Sequence, residues 1–461
     1  MYTYKLNTLQ ETAFNLIKEG KSICLTGSAG SGKSFLINYV LQELGERRIA
    51  VTAMTGIAST HINGMTLHSW AGIPVKQMGK EQLLNSILSN KIKDNKSRTK
   101  GDKDEINLED LEIDNDIVKR WKETDLLIID EVSMMSAEVF NKMDYLGRAI
   151  RKIDKPLGNL QLLLSGDFCQ LAPIGVNERY CFESQIWNQT IEKTFILKQI
   201  VRQSDPALQI VLNEVREGVV SAKGKELLNS RLISRLTPDN ETIYKNINPT
   251  IIYPHREKVN TINQEKFMEL TKEEDVNVYE YTYSDTIIPK NTYNNKKITN
   301  NNHKELELFL DQHCNAEKSL KLCIGCQVML TVNLSLEDKL VNGLTGIITD
   351  FDKDDGLPIL SIFNSERKIK IRKWTWSLDH PRYILKRTQI PLILAWAITV
   401  HRSQGITLEY AKADLREAFG PGMAYVILSR IKSLSGLFLE GINYSKIKCD
   451  SRVTAFYKAN G

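Results

Sequence analysis

The ten residues LTGSAGSGKS, Leu25–Ser34, constrain this 461-residue chain more than any other stretch. Gly27, Gly32, Lys33 and Ser34 stand at the spacing of a phosphate-binding loop, with the β-prone run Ser22–Leu25 before it and a helix-like run, Ser34–Leu44, after it. A strand, a glycine-rich turn and a helix in that order aim the backbone N–H groups of Gly27, Ser28, Ala29, Gly30, Ser31 and Gly32 at one anionic group. The glycines permit the tight turn. The Lys33 ammonium can reach the β and γ phosphates of a nucleoside triphosphate, and the Ser34 hydroxyl suits Mg2+.

Further apolar runs end in polar residues in the same way. In LLIIDEVSMM a strand delivers Asp130 and Glu131 to its carboxyl end, the edge of a parallel sheet where ligands bind. Asp130 is expected to share Mg2+ with Ser34, and Glu131 to orient and deprotonate an attacking water. In LLLSGDFCQLAP, Gln170 is expected to sense the γ-phosphate or that water. Arg202 in LKQIVRQSD and Arg430 in AYVILSR are candidates for balancing charge in a loose phosphoryl-transfer transition state. Arg430 is far in sequence from Lys33, so it can act only where two domains close on one nucleotide.

The runs SICLTG, RIAVTA, DLLIIDE and QLLLSGD alternate with amphipathic stretches, which predicts a parallel sheet with helices on both faces. A second α/β pattern starts near Thr250 with TIIYP and resumes with IPLILAWAITV, YVILSR and GLFLEGI. Two α/β domains are therefore expected, 1–195 and 196–461, the second interrupted by a β-rich insertion at about 270–386. The polar stretch 91–121 reads as a solvated surface insertion. A net charge of +5 is only weakly basic, so a nucleic-acid partner requires a local basic groove. MYTYKLNTLQETAF lacks a secretory pattern, and the run Ile390–Val400 is too short to span a bilayer; an intracellular, soluble chain without membrane contact is expected.

Seven irregularly spaced cysteines read as reduced thiols. His313, Cys314, Cys323 and Cys326 could form a tetrahedral zinc set, but LCIGCQVML reads as a buried strand in which Cys is a small hydrophobe, and no zinc is expected. Two motif matches are set aside. Asn141, Lys142, Met143 and Asp144 spell a guanine-reading pattern inside a helix-like segment, and Asp350, Asp352 and Asp354 imitate a calcium loop whose Gly356 comes one position late. Trp70 and Trp396 are candidates for stacking on bases, although Trp396 lies in an apolar run that favours the core.

Taken in order, LNTLQ (Leu6–Gln10), the glycine loop, VTAMTGIASTHINGMTLHSWAGI, DEVSMMSAEVFNKMDYLGRAIRK, GDFCQLAP, RQSDPALQIVLNEVREG, LVNGLTGI, HRSQGITL and AYVILSR resemble the PIF-type DNA helicases of superfamily one, relatives of the RecD subunit. The resemblance implies two RecA-like parallel-sheet domains, a small wedge insertion near 61–80 and a barrel-like fold for the β-rich insertion. It implies ATP as the nucleotide, with adenine read by Gln10, and ATPase roles for Lys33, Ser34, Asp130, Glu131, Gln170, Arg202 and Arg430. It implies contacts to single-stranded DNA from Thr55, Gly56, His68, His401, Ser403 and Gln404. Where the family has YPTR or YATN with a phosphate-contacting Thr, this chain has YPHR and His255.

The activity so implied is ATP-driven 5′ to 3′ movement of a monomer on single-stranded DNA, with unwinding at single/double-strand junctions. Among forks, RNA–DNA hybrids and G-quadruplexes as substrates the sequence does not choose, nor among replication, repair, recombination and telomere maintenance as settings. A P-loop switch that acts on a protein partner without DNA is the competing reading. Stimulation of hydrolysis by single-stranded DNA separates the two.

Overall fold

The computed structural model describes residues 6–62, 64–74, 78–89, 116–175, 178–198, 205–272, 275–289, 300–314, 316–335, 337–363, 365–379 and 383–460. Six strands form the sheet of the first lobe: β1 (Ile23–Gly27), β2 (Ile49–Ala53), β3 (Met65–Thr66), β4 (Leu126–Asp130), β5 (Gln161–Gly166) and β6 (Lys193–Leu197). Their order is β3-β2-β4-β5-β1-β6, and every pairing is parallel. β1 and β5 are buried throughout, as strands covered on both faces must be.

Alternate residues of the same strands serve opposite layers. Ile23, Leu25 and Ile128 pack with Ala13, Ile17, Leu36 and Val40 of helices Thr8–Lys18 and Lys33–Glu43. Cys24, Leu127 and Leu164 pack with Phe140, Met143 and Leu146 of helix Ala137–Arg151. Because β4, β5 and β1 are neighbours, the glycine loop, Asp130–Glu131 and the loop Asp167–Gln170 all emerge at one edge of the sheet.

Two stretches of the first lobe differ from expectation. Residues 61–80, read as a wedge, contribute β3 to the edge of the main sheet, and Leu67, Trp70 and Ala71 of helix Leu67–Ala71 are buried. Within 91–121, the final residues belong to helix Asp116–Glu123, where Val118 and Trp121 are fully buried. The Trp121 ring lies 4.7 Å from that of Trp70, which places both in the core and removes Trp70 from the set of base-stacking candidates. Residues 91–115 of the polar stretch lie outside the described residues.

The second lobe holds a parallel sheet in the order Ala397–Thr399, Thr250–Tyr253, Ala411–Asp414, Leu437–Gly441. IPLILAWAITV divides between two strands. Leu392–Leu394 pairs antiparallel with Gln327–Leu330 in the inserted region, whereas Ala397–Thr399 joins the parallel sheet. A run that is apolar throughout carries no signal of where one sheet ends and another begins. The first four residues of YVILSR belong to helix Met423–Leu428, whose every residue is buried.

The inserted region lies between Tyr279 and Leu394 and includes a five-stranded antiparallel sheet, a three-stranded one and helix Asn300–His313. Cys323 and Cys326 sit in its core with their sulfurs 3.6 Å apart, beside Trp396. Cys314 packs in a different cluster with Val332 and Trp376; the His313 side chain is outside the described residues. The calcium-like acids form a turn in which Lys370 Nζ lies 2.9 Å from Asp352 and 2.7 Å from Asp355. The guanine-like pattern is structural: on helix Ala137–Arg151, Lys142 pairs with Glu138 and Asp144 with Arg148. Among the described residues, no helix is long and apolar enough to cross a membrane.

Candidate nucleotide site and nucleic-acid cleft

The glycine loop takes its shape from its neighbours. A Cβ on Gly27 would lie 2.3 Å from the Leu197 carbonyl oxygen of β6, and one on Gly32, at φ 90°, would lie 2.8 Å from Gln10 Nε2. Gln10 is held by a capping box with Asn7 and donates from Nε2 to the Gly32 carbonyl at 3.2 Å, which ties the N-terminal helix to the loop. Lys33 Nζ donates to the carbonyls of Gly27 at 2.8 Å and Ser28 at 2.9 Å. Burial lowers its pKa, against the opposing charges of Asp167, Glu131 and Asp130. Among the described residues, the buried hydroxyls of Ser28 and Ser31 and the buried Oε1 of Gln170 have no hydrogen-bond partner. Orphaned polar atoms beside a glycine loop suit a polar, hydrogen-bonding ligand such as a triphosphate with its waters.

Asp130 ends β4, and Glu131 follows in the left-handed region at φ 52° and ψ 43°, a sparsely populated conformation for a residue with a side chain. Burial pushes both carboxyls up. Glu131 rises to about 7, first from burial and then from the charge of Asp130, while Lys33 and Arg430 act in the opposite direction. A third carboxylate, Asp167, was quoted within GDFCQLAP but given no role. Burial raises its pKa, yet Arg216 at 2.9 and 3.1 Å, the charge of Lys33 and the Cys169 N–H together outweigh burial and hold it below the ordinary carboxylate range.

The second lobe sits directly on these loops. Arg430 is 2% exposed; its guanidinium donates to the Val426 carbonyl at 3.0 Å, Ser429 Oγ at 2.7 Å and the Ser403 carbonyl at 3.3 Å. Its charge reaches Glu131. On the preceding helix, Met423–Leu428, the Tyr425 hydroxyl accepts the Ala29 N–H at 2.9 Å, and a Cβ on Gly422, just before that helix, would meet the Gln170 carbonyl oxygen at 2.3 Å. Tyr457, on helix Ser451–Asn460, bonds Thr26 Oγ1 at 2.6 Å, accepts the Phe168 N–H at 3.2 Å and donates to Asp167 at 3.0 Å. Arg216 lies 4.6 Å over its ring. Sequence reading missed Tyr425, Tyr457, Asp167 and Arg216; the first, third and fourth lie inside quoted motifs, whereas Tyr457 carries no local signal. Arg202 lies outside the described residues.

A cleft of 840 Å³ takes Thr55 and Gly56 from the first lobe and His255, Arg256, His401 and Arg402 from the second. Burial lowers the His401 pKa, which favours the neutral imidazole. Of the six residues implied as DNA contacts, Thr55, Gly56 and His401 converge here. Ser403 is fully buried, its hydroxyl donating to the Val400 carbonyl at 2.7 Å, and Gln404 is 5% exposed; neither lines the cleft. His68, half-buried on helix Leu67–Ala71, is also absent from its walls.

The family model of PIF1-like helicases matches residues 5–101 and 95–219, and that of the DNA helicase Pif1 2B domain matches 305–351. The rat ATP-dependent DNA helicase PIF1 is 32% identical over 98% of this chain, which spans 64% of that protein, a little under two thirds. Among solved structures, the Pif1 helicase of Candida albicans is 32% identical with a TM-score of 0.71, each chain covered in full. Pif1 from a Bacteroides species in complex with ADP-AlF4 is 26% identical with a TM-score of 0.74, covering 99% of this chain and 97% of that one; the same protein has been solved bound to ssDNA, with a TM-score of 0.62. The parallel-sheet core, the β-rich additions and the matched models together show that the chain belongs to the PIF1-like helicase family.

Proposed function

We propose that this chain hydrolyses ATP and uses the cycle to move along single-stranded DNA and open duplex at single/double-strand junctions. The observation that carries the reading is the seating of one second-lobe segment, Gly422–Arg430, on both nucleotide loops. Tyr425 meets Ala29 of the glycine loop, Gly422 abuts Gln170, and the charge of Arg430 reaches Glu131. A nucleotide bound there would couple its phosphates to the relative position of the lobes, and the cleft between Thr55 and His401 is shared by the same two lobes.

In the proposed step Glu131 takes a proton from water as the water oxygen bonds to the γ-phosphorus, and the bond from that phosphorus to the β,γ-bridging oxygen breaks. Burial and the charge of Asp130 keep Glu131 basic enough to serve. Lys33 and Arg430 balance the charge that spreads over the transferring oxygens, and Gln170, with its unpaired Oε1, orients the water. The Arg202 role rests on the family resemblance alone. The Ser34 hydroxyl and the Asp130 carboxylate are hard oxygen donors of the kind Mg2+ takes; they would hold that ion, which would supply neutralising charge to the phosphates. Gln10, fixed to Gly32, is the proposed adenine reader.

Strand displacement on duplexes with a single 5′ or 3′ tail tests the motor and its polarity together. Unwinding from the 5′ tail is expected; unwinding only from the 3′ tail rejects the polarity. ATP hydrolysis that single-stranded DNA fails to stimulate rejects the motor in favour of a switch acting on a protein partner. The same assay on RNA–DNA hybrids and G-quadruplexes, with mass measured on the DNA-bound protein, addresses the remaining proposed substrates and the proposed translocating monomer.

A further inference from the structure

Two thiols touch where the lobes meet. Cys169 lies in the first-lobe loop Asp167–Gln170, and Cys449 lies in the second lobe just before helix Ser451–Asn460. Their sulfurs are 3.8 Å apart although 280 residues separate them in the chain. Both backbones are held in place. The Cys169 N–H donates to Asp167 Oδ1 at 3.1 Å, and a Cβ on Gly218 would lie 2.5 Å from the Cys449 nitrogen. Gly422 braces the two segments together: its N–H donates to the Lys448 carbonyl at 3.0 Å, and a Cβ there would meet the Cys169 carbonyl oxygen at 2.5 Å. Of the seven cysteines, Cys449 alone is half-buried rather than buried, so it is the thiol that a reagent from solvent reaches first.

The Cys169 thiol lowers the Cys449 pKa to about 7; burial opposes this, and the Thr454 hydroxyl at 3.7 Å and the charge of Arg216 add to it. Cys169 is pushed far up, first by the same contact and then by burial, and keeps its proton. We infer that Cys169 and Cys449 form a redox modification site that takes hydroperoxides and, once oxidised, staples the lobes together beside the nucleotide loops. The Cys449 thiolate attacks a peroxide oxygen, forming an S–O bond as the O–O bond breaks, and the hydroxide released takes up a proton as water. Cys169 then attacks the Cys449 sulfur: an S–S bond forms, the S–O bond breaks, and the Cys169 proton leaves with that hydroxide as a second water. Two thiols are oxidised and one peroxide is reduced. Cys323 and Cys326 are equally close, at 3.6 Å, but both are fully buried within the inserted region, and a bond between them would join no two lobes. A motor that works by relative movement of its lobes stops in the stapled form; that consequence, unlike the bond, rests on the function proposed above.

The experiment exposes the reduced full chain to hydrogen peroxide, alkylates the remaining free thiols and weighs the proteolytic peptides. A peptide pair joined through Cys169 and Cys449 is expected. Strand displacement should fall in proportion to the joined fraction and return with dithiothreitol. Cys449→Ser, a change of one atom at a half-buried position, is expected to unwind as the reduced wild type does and to keep that rate in peroxide. Cys169→Ser is expected to leave a sulfenic acid on Cys449 that a cyclic diketone traps, which reports the order of attack independently of activity. Absence of the joined pair overturns the inference, and so does a joined pair with undiminished unwinding or an equal peroxide sensitivity in Cys449→Ser. Failure of the reduced wild type to unwind rejects the motor reading instead, and the joined pair is still scored by its mass.

Discussion

The nucleotide pocket and the cleft of Thr55, His255 and His401 are built by opposite rules. In the pocket, loops from three adjacent strands of one sheet hold charged groups that are buried and tied to fixed partners, as Asp167 is to Arg216 and Tyr457. In the cleft, half-exposed side chains from two lobes face each other across open space. Charge fixed in a dry site acts strongly on a developing transition state, whereas exposed contacts add modest increments to binding. Substitutions in the pocket should therefore change rates by orders of magnitude, and those in the cleft should change affinity by less than about tenfold.

The largest effect is expected from Lys33→Ala, which removes a cation whose charge reaches all three pocket carboxylates. Hydrolysis should fall to background and ATP affinity should drop with it, measured by phosphate release and by titration of a fluorescent nucleotide. Arg430→Ala should slow turnover about a thousandfold with ADP affinity nearly unchanged, because its role is in the transition state. Unaltered DNA-stimulated hydrolysis in this variant would break the idea of a pocket completed across the lobes. Glu131→Gln should keep ATP binding and lower single-turnover hydrolysis about a hundredfold or more; a normal rate would remove Glu131 from the chemistry.

The contrast between pocket and cleft also governs what could be read from the sequence. The glycine loop, Asp130 and Glu131 were legible because a strand, a turn and a helix that follow one another fix local geometry and side-chain type together. Neighbouring strands β4, β5 and β1 then place them at one edge without further information. Tyr425 and Tyr457 were not legible: their partners Ala29 and Asp167 are 396 and 290 residues away, and no local pattern marks a tyrosine whose hydroxyl reaches another lobe. The division of Ile390–Val400 between two sheets was not legible for a related reason, since full burial erases the alternation that marks one sheet from the next. Cleft residues were accessible only through family resemblance, and the burial of Ser403 and Gln404 could not be foreseen from HRSQGITL.

Between the two extremes lies Tyr457→Phe. Its hydroxyl satisfies Thr26, the Phe168 N–H and Asp167 in a buried setting, so its removal leaves three polar groups short of a partner. A loss of about 1 to 3 kcal/mol in denaturant unfolding is expected. Single-strand affinity should move by no more than roughly twofold, since the cleft shares no contact with this hydroxyl. A large loss of DNA binding with full stability would erase the separation drawn between pocket and cleft.

The smallest effect is expected at His401. Burial lowers its pKa from the ordinary 6.5, so the neutral imidazole predominates at neutral pH and protonation begins only as the pH falls below that value. His401 then meets DNA as a neutral hydrogen-bonding and packing group, without a charge for phosphate to attract. His401→Ala should weaken single-strand binding by less than about tenfold, and the factor should be the same at about pH 8 and about pH 6.5. The slope of affinity against salt should be unchanged by the substitution, since a neutral group displaces no counterions. A penalty that grows toward about pH 6.5, together with a shallower salt slope in the variant, would mean that the imidazole is charged in the complex. The cleft would then share the fixed-charge logic of the pocket.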